Sequence, residues 1–204
     1  AAVKIKEILV AFVTALGTVL LPRISYYVKE GLIDDFTVLV KNAMDFIFLA
    51  AAPICIFFIF MADSSILFLS GEAFHGAIQP MRIIMPTLIC IGITNIIGVQ
   101  ILIPLGKEKL VVYSTCAGAV TDLILNCVFI PLFAASGAAL GTLAAEIVVL
   151  DVQVYFIRNK LPGLFANIQY GKLLPALFFS SLILYIVKGN LHIGIFFTLV
   201  VTAL

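Results

Sequence analysis

The sequence predicts an all-α fold, a polytopic membrane helix bundle of about seven spanning helices. Two bulk observations and one local one predict it. Apolar residues make up 63% of the 204-residue chain and charged residues 11%, against roughly 45–50% and about 25% in soluble domains. Mean hydropathy is +1.24. Locally, the apolar residues fall in long continuous runs without the alternation of a spanning strand, and hydrocarbon leaves only helices and closed barrels free of unpaired backbone.

A spanning helix takes about 20 residues at 1.5 Å each. Windows of that kind lie at 5–21, 43–61, 83–103, 110–133 and 137–157, followed by a short one at 173–187 and one at 193–204 that runs to the last residue. The first residue is not Met and the last lies within an apolar run, so the chain is expected to be a fragment of a longer protein. Between the first two windows, residues 23–41 mix charge with Ile33, Phe36 and Val40 at helical spacing. That pattern predicts a helix lying at the cytoplasmic interface, with a solvated connector as the alternative. A similar surface helix is expected at 164–170, and a closing helix pair at 173–204.

The connections after the first, third and fifth windows carry Arg23, Lys29 and Lys41, then Lys107 and Lys109, then Arg158, Lys160 and Lys172. By the positive-inside rule they face the cytoplasm, in a multi-pass protein of the cytoplasmic membrane. Lys4 and Lys6 fall on the other side and are exceptions. Pro53, Pro86, Pro104, Pro131 and Pro175 lie in or at the ends of windows, where each removes a backbone donor and can bend a helix.

The scattered cations form no basic stripe, which argues against nucleic acid. Cys55, Cys90, Cys116 and Cys127 all lie inside windows with no metal-ligand spacing and read as small apolar packing residues. His75 and His192 are far apart in connections, no phosphate-cradling loop is present, and no Ser or Thr has a neighbouring base. No enzyme, cofactor or metal site is expected.

Gly137, Gly141 and Ala145 share one face of the fifth window, a pattern for close helix packing. Ionisable groups inside a membrane usually face a polar cavity or a partner. Asp122 and Glu146 are the clearest, with Asn126 four residues after Asp122 on the same face. They are candidates for a proton or sodium site, or for plain interhelical hydrogen bonding. Arg82, at the expected outer start of the third window, suits an anionic head group or could snorkel to the interface. Asn95 and Gln100 offer neutral hydrogen bonds to a sugar or to a neighbouring helix.

Several short motifs carry a resemblance. They are Thr18-Val19-Leu20-Leu21-Pro22-Arg23-Ile24-Ser25, Gly71-Glu72-Ala73-Phe74, and Ile103-Pro104-Leu105-Gly106-Lys107-Glu108-Lys109. Asn126 with Ile130 and Pro131 follows, and then the run from Gly137 to Glu146. In this order they resemble the lipid-linked oligosaccharide flippases (Wzx type) of the multidrug, oligosaccharidyl-lipid and polysaccharide exporter superfamily. Relatives that flip the peptidoglycan lipid precursor or export drugs share the architecture.

The resemblance implies that residues 1–204 are the C-terminal lobe of an exporter with two six-helix lobes around a central cavity, the N-terminal half being absent. It implies alternating access, with membrane lipid around the protein and a glycan on an undecaprenyl pyrophosphate carrier as substrate. Arg82, Asn95, Gln100 and Asn126 would line the cavity, and Asp122 and Glu146 would couple an ion. A cation-coupled drug or lipid-precursor exporter, and a membrane scaffold without transport, are the alternatives. One departure stands out: Arg82 is the sole cationic candidate for the cavity of a carrier that is anionic.

Overall fold

The computed structural model describes residues 1–158, so the expected surface helix at 164–170, the closing pair at 173–204 and Pro175 lie outside the described residues. Among the described residues every regular element is helical. Helix α1 (Ala2–Glu30) and helix α2 (Ile33–Phe60) are each long and apolar enough to cross a membrane.

The junction between them replaces the interfacial helix expected over 23–41. Residues 23–30 complete α1, and residues 33–41 open α2. Gly31 adopts φ 71°, in the left-handed region that glycine enters without penalty. It closes α1 with paired bonds, its own N–H to the Val28 carbonyl and that of Leu32 to Tyr27. Asp34 and Asp35 then sit in the first turn of α2, where the helix dipole favours negative charge. The apolar spacing that suggested a surface helix is in phase with the rest of α2: Phe36, Val40, Ala43, Met44, Ile47 and Ala51 form one buried stripe. The stripe faces protein, not the membrane surface.

Helix α2 ends at Met61, and a short helix α3 (Ala62–Ser70) follows. After Gly71 a 3-10 turn leads into α4 (Ile78–Ile84) and α5 (Thr87–Asn95), which continues as a π-helical turn over Ile96–Leu102. The third span is thus bent by 48°. Pro86 lies at the bend, and its missing N–H withdraws the bond that the Arg82 carbonyl would otherwise accept. The Thr87 hydroxyl donates to the neighbouring Ile84 carbonyl at 2.6 Å.

The helical stretch Glu108–Ile157 is 50 residues long and breaks at Ala134, whose φ of 49° is unusual for a residue with a Cβ. As one rod it would separate Ser114 from Gln153 by about 58 Å. Instead the Gln153 amide donates to the Ser114 hydroxyl at 3.1 Å. The stretch is therefore an antiparallel hairpin, α6 (108–133) and α7 (135–157), matching the fourth and fifth expected spans.

The core gathers at two levels. Near one end, Ile24, Phe36 and Val40 pack with Ile101, Leu102 and Ile157. Near the other, Ala2, Ile5, Cys55, Ile66, Met81, Ile84 and Ala139 form a second cluster. These memberships make the spans alternate up and down. Apolar side chains such as Ile8, Val19, Leu123 and Leu132 point outward and are exposed, which suits a lipid surround.

Candidate functional site

The polar groups within the spans fall into four sets. In the hairpin, the Asn126 amide donates to Asp122 Oδ2 at 3.0 Å, so the shared face read from their spacing is real. Opposite them on α7 is Gly141, where a Cβ would strike Asn126 Oδ1 and lie 3.5 Å from Asp122 Oδ1. Both of those oxygens are buried with no hydrogen-bond partner. Gly137 likewise abuts the Phe129 carbonyl, and Gly118 on α6 abuts Val149. The small-residue face Gly137, Gly141 and Ala145 is the buried seam of the hairpin.

Glu146, half-buried on α7, lies within electrostatic range of Asp122 and of Lys6 on α1. Lys6 is half-buried as well. Spacing in the sequence gave no sign that this cation comes within range of that acid.

The second set is Asn95 and Gln100. Five residues apart, they would lie about 140° apart on a regular helix. The π-helical turn, with bonds such as Ile103 N–H to the Gly98 carbonyl at 3.1 Å, changes that spacing. Both side chains then converge on Gly17 of α1, where a Cβ would collide with Gln100 Nε2 and Asn95 Oδ1. Gln100 is buried, and its Oε1 has no partner.

The third set was not singled out from sequence. Gln153 of α7 is 2% exposed, bonds Ser114 of α6, and lies against Gly98 of the π turn, where a Cβ would sit 3.1 Å from its Nε2. Ser114 in turn donates to the Val111 carbonyl at 2.8 Å. Three helices meet at this amide. A Ser and a Gln 39 residues apart carry no periodic signal, and only the hairpin closure brings them together.

The fourth set is Arg82, which the structure places in an ion pair with Asp63 of α3 at 2.6 Å. Both side chains are partly solvated. Asp63, in the first turn of α3, was also missed, because nothing in the sequence reveals that α3 folds back beside α4. Arg82 is therefore not grouped with Asn95, Gln100 or the Asp122–Asn126 pair. Among the described residues no group of acids, cysteines and histidines could hold a metal ion, and Cys55, Cys90, Cys116 and Cys127 are free thiols.

Bent and hairpin spans, small-residue seams and buried polar groups define a class: a multi-pass helical membrane protein. The family model of the lipid II flippase MurJ matches residues 4–203, nearly the whole chain. The chain belongs to that family of lipid-linked flippases, within the exporter superfamily its motifs resemble. No curated protein and no solved structure matches it.

Proposed function

We propose that this protein carries a lipid-linked peptidoglycan precursor across the cytoplasmic membrane, from inner to outer leaflet, by alternating access. The observation that carries the reading is the match to the lipid II flippase family over residues 4–203. The buried polar groups of the lobe are the means of hiding a sugar head group from hydrocarbon while the polyprenyl tail stays in lipid. Arg82, Asn95, Gln100 and Asn126 are the substrate-facing candidates. Residues 1–204 act as the C-terminal lobe, rocking against an N-terminal half.

Ion coupling is assigned to Asp122 and Glu146. The orphaned oxygens of Asp122 and Asn126 are acceptors that a cation would satisfy, and Glu146 lies within electrostatic range of Asp122. The Wzx-like order of motifs favours a second substrate, a lipid-linked oligosaccharide for export.

The test uses vesicles containing the full-length protein and a fluorescent lipid-linked precursor. Flipping of the peptidoglycan precursor in preference to an export oligosaccharide on the same carrier supports the reading, and the reverse preference transfers it to the second substrate. Flipping that ignores both proton and sodium gradients removes the roles of Asp122 and Glu146.

A further inference from the structure

Arg82 and Asp63 meet through one pair of atoms, Nη2 donating to Oδ2 at 2.6 Å. A guanidinium offers five donors in a planar fork, and a carboxylate commonly takes two of them side by side. Here Nε, which could complete such a fork, is buried and has no acceptor. An unpartnered buried donor on a charged group is costly and calls for an explanation in a native fold.

The pair is nevertheless open to an incoming ion, since the two side chains retain 37% and 39% of their exposure. It also joins two separate helices. Asp63 lies just past the break at Met61, and Arg82 lies in α4, before the bend at Pro86. The first turn of α3 favours a carboxylate whether or not a cation is beside it, so Asp63 has support of its own if Arg82 turns away.

We propose that Arg82 exchanges partners: Asp63 holds it while the site is empty, and a phosphate-bearing anion displaces the carboxylate and takes the fork through Nε and a terminal nitrogen. The proposal rests on the flippase reading for the source of that anion, the phosphates of a lipid carrier. Asp63 is then a positioning residue. It parks Arg82 in the absence of substrate and competes the phosphate away at release.

The test is equilibrium binding of farnesyl pyrophosphate and of inorganic pyrophosphate to the full-length protein in detergent at low salt, with the unfolding temperature of each variant recorded. Arg82→Gln is expected to weaken farnesyl pyrophosphate about tenfold or more, the loss of a charge-assisted bond. Asp63→Asn is expected to tighten it by roughly threefold or more as the competing carboxylate is removed. The double variant should bind like Arg82→Gln, and Arg82→Lys, which keeps charge without the fork, should fall between. Inorganic pyrophosphate following the same order identifies the phosphates alone as the ligand, and the order appearing with the prenyl form alone identifies the lipid-borne group.

A clasp with only a structural role would lower both unfolding temperatures and shift binding in the same direction for both single variants. That result, or unchanged binding in a stably folded Asp63→Asn, overturns the exchange. Opposed shifts in a protein that flips no lipid-linked precursor defeat the flippase reading and leave the exchange standing, whereas intact flipping without opposed shifts defeats the exchange alone.

Discussion

The α6–α7 hairpin and the bent third span are built on opposite plans. The hairpin closes through a seam of small residues, Gly118, Gly137, Gly141 and Ala145, with backbone and side chains in direct contact across it. The third span is interrupted twice, by Pro86 and by a π-helical turn. Small residues let helix backbones approach closely, while prolines and π turns are where helices bend, and π turns often mark functional sites. The contrast leads us to expect motion in the span over Glu72–Leu102 and a hairpin that moves as one piece.

The contrast breaks most severely at Gly141. Gly141→Leu puts a branched side chain where Asn126 and Asp122 already lie and should cost about 3 kcal/mol, read as a large fall in unfolding temperature in detergent. Pro86→Ala should do the reverse to stability and damage function. Restoring a donor to the Arg82 carbonyl should add about 1 kcal/mol, yet flipping in vesicles should drop several-fold as the bend stiffens.

Gly17→Ala sharpens the comparison, because its Cβ reaches the side chains of Asn95 and Gln100. It should cost roughly 1–2 kcal/mol, and Gln100→Ala in the same chain should recover part of that loss, a coupling that a double-mutant cycle measures. The smallest effect is expected at Gln153→Leu. It removes one hydrogen bond to Ser114 and should cost about 0.6–1 kcal/mol.

The helical spans were legible in the sequence because burial in lipid leaves long apolar runs, and the windows at 110–133 and 137–157 coincide with the two arms of the hairpin. The glycine seam was legible for the same reason, since small residues four apart share a face in any helix. Residues 23–41 were misread because amphipathic spacing does not say whether an apolar face meets lipid or protein. Gly31 was the available signal, a left-handed terminator between two helical patterns.

The polar sites were only half legible. Asp122 and Asn126 share one α-helix, so their spacing was enough. Asn95 and Gln100 meet through a π turn, which shifts the helical register without any marker in composition. Arg82 with Asp63 and Ser114 with Gln153 pair across helices, and Lys6 comes within electrostatic range of Glu146 across helices, where sequence separation carries no information about distance.

The division between a hairpin that stays closed and a third span that flexes is tested most directly by stapling each in turn. In full-length protein cleared of Cys55, Cys90, Cys116 and Cys127, a short bismaleimide would join Ser114→Cys to Gln153→Cys within the hairpin, or Ile47→Cys to Gly92→Cys, neighbours that tie the part of the third span after Pro86 to α2. Flipping would be measured in vesicles against the unlinked pairs. Unchanged flipping with the hairpin staple and arrest with the α2–α5 staple are expected. Arrest by the hairpin staple, with flipping preserved when α5 is tied to α2, would contradict that division.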